Sequence, residues 1–321
     1  MAVSRLCLGT MTFGLQCDEE ESFAILDAAA DHGISFVDCA DVYPLGGGLD
    51  LVGRTEEIVG AWMASRGARE DVVLATKCVG AMGQRRWQRG ASRKHIMEAV
   101  DASLRRLQTD YIDLYQLHGY DPHTPPDETL GALDDLVRVG KVRYLGCSNY
   151  AAWQLARANG IAASEGLSRF DSVQPRYNLL FRAYENDLFE LCRLDDIAVI
   201  PYNPIAGGLL SGKHSFEAGP TEGTRFTTGN SAERYQSRYW NEAEFATVDA
   251  LRPIAAAAGI SMVTLANAWV LSNRVVTSPI VGASRPDQLD DAVAALDVKL
   301  DDDVLAQLDG LTASYRHVPF A

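Results

Sequence analysis

Eight times along this chain a short apolar run is followed by a helix-length segment, and no other feature limits the fold as strongly. The runs span residues 6–8, 34–37, 72–76, 111–117, 142–146, 172–174, 198–201 and 275–281. Between them the pattern predicts helices over 18–32, 55–66, 92–107, 127–139, 151–159 and 184–193. Two more, over 242–258 and 263–272, precede the last strand, and 286–296 and 302–311 follow it. Ser92 before Ile96, Val100, Leu104 and Leu107 shows an N-cap and an apolar stripe of helical period. Gly33 is well placed to end the first helix. No linker or composition break interrupts the alternation. The expectation is therefore an α/β protein with one domain, residues 1–321, closed as a (β/α)8 TIM barrel with C-terminal helices. A doubly wound dinucleotide-binding domain is the rival. It requires G-x-G-x-x-G after the first strand, and Gly9-Thr-Met-Thr-Phe-Gly14 does not match.

Charge narrows the function classes. Apolar residues form 47% of the chain, enough for a full core, and 29 Lys and Arg against 43 Asp and Glu give a net charge of -14. That balance argues against a nucleic-acid partner and suits a cytoplasmic protein. It also means that any anionic ligand needs a local cluster of cations or helix N-termini. No apolar stretch reaches membrane-spanning length, so no membrane partner is expected. Six cysteines, at 7, 17, 39, 78, 147 and 192, show no C-x-x-C spacing and read as buried reduced thiols, without a metal or disulfide role. The longest irregular stretch, 212–240 after the seventh strand, carries Arg225, Phe226, Arg234, Tyr235, Arg238, Tyr239 and Trp240. Its arginines and aromatics suit a lid over a ligand.

The chemistry gathers at strand ends, which share one cavity in a barrel. His118 interrupts the apolar run 111–117, and Asp121 and Pro122 follow it in a polar turn. Asp38 and Tyr43 follow the second strand, and Lys77 follows the third. An acid, a phenol, an amine and an imidazole can form a proton-donating unit. A free phenol titrates near pH 10, roughly three units above neutrality. A neighbouring ammonium lowers that value, and a carboxylate keeps the ammonium charged and oriented. The imidazole can position a substrate oxygen.

These residues, in Asp38-Cys-Ala-Asp-Val-Tyr43, Ala75-Thr-Lys77 and Leu114-Tyr-Gln-Leu-His118, resemble the Asp/Tyr/Lys/His tetrad of the aldo-keto reductase superfamily. The likeness runs from Leu8-Gly-Thr10 to Ser278-Pro-Ile-Val-Gly-Ala-Ser284, and is nearest to bacterial reductases similar to potassium-channel β subunits. It implies NADPH and the reversible reduction of an aldehyde or ketone to an alcohol. Tyr43 would be the general acid, tuned by Lys77 with Asp38, and His118 would orient the carbonyl. Channel-associated members carry Asn at the position of His118, so the histidine here favours a working catalyst.

The resemblance also implies a cofactor site. Ser148, Asn149 and Gln174 would hold the nicotinamide carboxamide, and neutral amides and hydroxyls suit that group. Tyr202 would stack on the nicotinamide ring. Asn203, Pro204, Ile205, Ala206 and Gly207 open the loop over the pyrophosphate, with Lys213 as a cation and Arg225 as further charge. Gly9, Thr10 and Met11 would face the cofactor from the first strand, and Gly282 from the last. Ser284 would meet the 2′-phosphate at a helix start, with Arg285 beside it and Gln288 and Asp291 near the adenine. Phe13, Trp87, Tyr120 and Trp240, with Tyr43 and His118, are expected to bound the substrate pocket. Cys39, Gly119 and Ala292 depart from the residues common in relatives. Two other readings differ in class: a nucleotide-dependent regulatory subunit with little turnover, and a metal-dependent hydrolase suggested by His118, Asp121 and His123. Whether the chain is a monomer or a homo-oligomer is left open.

Overall fold

A computed structural model of the chain describes residues 1–317. Its strands are β1 (Cys7–Gly9), β2 (Phe36–Asp38), β3 (Val73–Cys78), β4 (Ile112–Leu117), β5 (Val142–Ser148), β6 (Ser172–Gln174), β7 (Ala198–Val199) and β8 (Ile280–Gly282). They pair in parallel in the order β7-β6-β5-β4-β3-β2-β1-β8. Bridges between Val199 and Val276 and between Tyr202 and Ile280 join the two ends, so the sheet closes into a barrel. Around it lie α1 (Glu19–Asp31), α2 (Arg54–Arg66), α3 (Arg93–Arg106), α4 (Pro126–Arg138), α5 (Ala152–Glu165) and α6 (Leu188–Leu194). The remaining helices are α7 (Ala232–Tyr239), α8 (Glu242–Ala257), α9 (Met262–Ser272), α10 (Asp290–Ala294) and α11 (Asp302–Thr312).

The strands are apolar on both faces because helices cover one side and the barrel fills the other. Leu8, Val37, Leu74, Tyr115, Leu145, Val173, Val199 and Val281 point outward into the main core beneath the helices. Cys7, Phe36, Ala75, Leu114, Ile200 and Ile280 form a separate cluster inside the barrel. Strand residues alternate, so two positions further along the same interior face come Gly9, Asp38, Lys77, Gln116, Tyr202 and Gly282. The barrel is thus an apolar plug under a polar layer. Gly146 of β5 belongs to this interior: a Cβ placed on it would lie 2.5 Å from Ser172 Oγ and 3.1 Å from Gln116 Cγ.

Local signals act as their chemistry requires. Asp18 and Glu21 form a reciprocal capping box on α1, and Gly33 follows that helix at φ +72°, where no Cβ penalty applies. Ser92 accepts from His95 N at the start of α3. Where α2 crosses the end of α3, Gly60 leaves only enough room for its hydrogens, since a Cβ there would sit 2.3 Å from the Arg106 carbonyl oxygen.

Several elements differ from the expectation. β3 and β5 run on through Cys78 and Ser148, so Lys77 lies inside its strand, and Asp38 is the last residue of β2. α5 continues to Glu165. The segment 286–296 is a 3-10 turn, Pro286–Leu289, followed by the five-residue α10. The long stretch after β7 contains the eight-residue α7. Among the described residues no single helix is long and apolar enough to cross a membrane.

Candidate active site

Lys77 is fully buried at the centre of the polar layer. Its Nζ donates to Asp38 Oδ2 at 2.5 Å and to the Cys39 carbonyl at 2.8 Å. The other carboxylate oxygen accepts from Gln116 Nε2 at 3.0 Å and Gln174 Nε2 at 2.9 Å. A buried ion pair is tolerable only when such partners satisfy its remaining sites. Burial works most strongly against the charged ammonium of Lys77, but Asp38, Tyr43 and Cys39 together outweigh it and the pKa is raised.

Tyr43 lies in the turn after β2, 8% exposed. The centre of its ring is 5.1 Å from Lys77 Nζ and 5.6 Å from the His118 ring, which meets it edge to face. Burial pushes the phenol up to about 12, while Lys77 pulls it down. Lys77 acts in the direction expected from the sequence, but burial outweighs it, so the predicted net lowering does not appear. His118 falls to about 3, chiefly through burial and then through the positive charges of Lys77 and Arg234. It is therefore a neutral imidazole at physiological pH.

Next to the tetrad is a set of neutral hydrogen-bonding groups. Asn149 Nδ2 donates to the His118 carbonyl at 2.9 Å, and its Oδ1 accepts from the Tyr202 hydroxyl at 2.9 Å. Ser148 Oγ donates to the Gln174 carbonyl at 2.8 Å. Asn203 donates to the Tyr239 hydroxyl and accepts from Gly207 N. Asn149 and Asn203 have φ of +59° and +66°, a region their short amides tolerate. Pro204 and Ile205 lead into the turn Ala206–Ser211, where Tyr235 of α7 rests on Gly207; a Cβ there would come within 2.6 Å of its ring.

Across the mouth, over β1 and β8, Arg225 reaches Met11 Sδ at 2.9 Å and stands 3.4 Å from the position of a Cβ on Gly282. Gly9 lies beside it, and Thr10 is held by two bonds to the Asp38 carbonyl. Lys213 is exposed and close enough to Asp287 to act on it electrostatically, while Arg285 pairs directly with Asp287. Both the N–H and the hydroxyl of Ser284 donate to Gln288 Oε1, at 2.8 and 3.2 Å. Asp291 is exposed, and its carbonyl accepts from Thr264. Amides and hydroxyls at the ends of β5 and β6, with cations and paired glycines over β1 and β8, fit a nicotinamide at one end and phosphates at the other. The helix start expected at Ser284 is only a 3-10 turn, so little macrodipole assists there.

Of the expected pocket-wall residues, Tyr43 and His118 meet edge to face, whereas the other four lie in separate settings. Phe13 is completely buried in the main core. Tyr120 packs edge to face against Tyr150 and Trp153, beside α5. Trp240 sits among Phe226, Phe245 and His214 beneath the long loop. Trp87 remains exposed on the loop after β3. Aromatic type and loop position suggest all four, but apolar neighbours from other parts of the chain claim three of them. Asp121 is engaged by Ala91 N, His123 N and the Thr124 hydroxyl. Among the described residues no three His, Cys, Asp or Glu side chains could hold a metal ion together.

Gln116 is the site residue that the sequence reading overlooked. Its signal was present: a polar side chain inside the apolar run of β4, two positions before His118 and therefore on the same face. Asp41 was also overlooked; it is fully buried, and burial beside Glu56 raises its pKa strongly.

Comparison with known proteins agrees with this geometry. Residues 5–313 match the model of the aldo/keto reductase family. The uncharacterized oxidoreductase YrpG of Bacillus subtilis is 38% identical over 316 residues, covering 97% of this chain and 93% of that protein. The protein tas of Escherichia coli is 35% identical over 338 residues, covering 99% and 96%. A probable voltage-gated potassium channel subunit beta of Arabidopsis thaliana is 36% identical over 302 residues, covering 93% and 89%.

Proposed function

The chain belongs to the aldo/keto reductase family, and on that premise we propose that it is an NADPH-dependent oxidoreductase that reduces a small aldehyde or ketone to an alcohol. The observation that carries the reading is the buried Lys77–Asp38 pair directly beneath the Tyr43 ring, with His118 at its edge. When bound, NADPH supplies the hydride. Ser148, Asn149, Gln174 and Tyr202 would hold the nicotinamide, and Lys213, Arg225 and Ser284 would take the phosphates.

Tyr43 donates the proton. With its phenol held near 12 it is fully protonated at neutral pH, so the acid is always loaded. Transfer is downhill nonetheless, because the developing alkoxide is a far stronger base than a phenolate. The phenolate left behind faces the Lys77 ammonium, which stabilises it in a water-poor setting where that charge counts for more than in bulk water. Asp38, held by two glutamines, keeps the ammonium charged and aimed. Neutral His118 offers a hydrogen bond to the carbonyl oxygen without competing for the proton.

The test is NADPH oxidation against a panel of aldehydes and ketones. Turnover that disappears in Tyr43→Phe while NADPH still binds is the expected result. Tight NADPH binding without turnover on any carbonyl would favour the regulatory-subunit reading instead.

A further inference from the structure

α7 presents two pairs of side chains at helical spacing toward the barrel mouth. Tyr235 and Tyr239 are buried, the first against Gly207 and the second bonded to Asn178 and Asn203. Arg234 and Arg238 form the neighbouring row, four residues apart and therefore on one side of the helix. Arg238 hydrogen-bonds the Tyr202 phenol, which in turn bonds Asn149, whose amide holds the His118 carbonyl. One helical turn earlier, Arg234 is exposed and makes no side-chain hydrogen bond or ion pair among the described residues, yet its charge reaches His118.

The carboxylate nearest the reacting centre, Asp38, is already committed to Lys77, Gln116 and Gln174. The cations suited to cofactor phosphates lie across the mouth, where Arg225 approaches Met11 and Gly282. Among the described residues, the charged groups that reach His118, Lys77 and Arg234, are both positive. A guanidinium there matches a carboxylate through two parallel hydrogen bonds.

We infer that Arg234 receives a carboxylate carried by the carbonyl substrate, so that the site selects aldehydes or ketones with an anionic group a few bonds from the reacting carbon. The inference rests on the reductase reading, and its test separates the two. The probes are 4-carboxybenzaldehyde and its methyl ester, each with saturating NADPH. The wild-type protein should show the higher kcat/KM for the acid. Arg234→Gln should lower the acid-to-ester ratio of kcat/KM at least tenfold, mainly through KM, and Arg234→Lys should retain most of it. Added salt should lower the wild-type ratio. An acid-to-ester ratio unchanged in Arg234→Gln overturns the inference. So does a tenfold loss of NADPH affinity in that variant, which would assign Arg234 to the cofactor. If the wild-type protein reduces neither aldehyde, the carbonyl panel decides the reductase reading and binding decides this one: fluorescence titration of 4-carboxybenzaldehyde must be weaker for Arg234→Gln, and equal affinities overturn the carboxylate assignment.

Discussion

Tyr43 lies with its ring 5.1 Å from the Lys77 ammonium, and that ammonium is the only charge within the barrel positioned to stabilise a phenolate among the described residues. Removing the phenol and removing the charge should therefore have different structural costs but the same kinetic one. Tyr43→Phe keeps the ring and should lower single-turnover hydride transfer by about 10²-fold or more. Lys77→Met should do similar kinetic damage and also strand Asp38 as a buried charge, costing about 3–5 kcal/mol of stability. The double variant should transfer little more slowly than the worse single one, because the two act as a unit. Rapid-mixing kinetics and urea unfolding of all three check this.

His118 gives a pH signature. Its ordinary value is 6.5 and its folded value about 3, so below pH 6.5 the unfolded chain takes up a proton that the folded chain refuses. The stability it contributes is complete above its unfolded value and is lost as pH falls toward the folded one, by up to ~1.4 kcal/mol per pH unit. His118→Asn lacks this loss. Between pH 7 and 5 the wild-type protein should lose about 1–2 kcal/mol more than the variant in urea titrations. Equal losses would remove the burial argument for His118.

Cofactor choice should follow the cations over β1 and β8. NADPH is expected to bind at least about tenfold more tightly than NADH, or ~1.4 kcal/mol. Lys213→Ala should erode that preference more than it weakens NADH binding, since Lys213 and Arg285 both surround Asp287 at the Ser284 turn. Fluorescence titration with both nucleotides measures it. Asp291, exposed nearby, is the residue that would tilt the balance toward NADH.

Gly60→Ala sets two effects in opposition. Alanine gains about 1 kcal/mol of helix propensity over glycine. Its Cβ, however, would lie 2.3 Å from the Arg106 carbonyl oxygen and 2.7 Å from the Leu107 carbonyl carbon, backbone atoms that move only with α3. Overpacking of this kind costs about 1–3 kcal/mol, so the variant should be less stable, with α3 displaced from α2. A raised urea midpoint would show that the helices part without penalty.

How much was legible in the chain depends on where the determining contacts lie. β4 and His118 could be read because an apolar run ending in a polar turn is a local signal. α3 could be read because Ser92 and its apolar stripe are both in sequence. α7 could not: it is eight residues long, polar on most sides, and held by two tyrosines docking on Gly207, Asn178 and Asn203 of other loops. The break before α10 was also hidden, since Gln288 turns back onto Ser284 through a contact that propensity does not encode. The tetrad was found as four residue types at strand ends. Gln116, which completes the Asp38 shell, looked like a stray polar residue until its register beside Lys77 was known.

The two layers inside the barrel divide each strand into a foundation and a fitting. On β2, Phe36 belongs to the plug and Asp38 to the polar layer; on β3 and β4 the same division separates Ala75 from Lys77 and Leu114 from Gln116. Less than 7 Å of strand separates the two layers at about 3.3 Å per residue. A substitution in the upper layer can therefore retune reactivity while the hydrocarbon beneath keeps the scaffold closed. A lineage carrying this barrel can exchange its tools without rebuilding the bench.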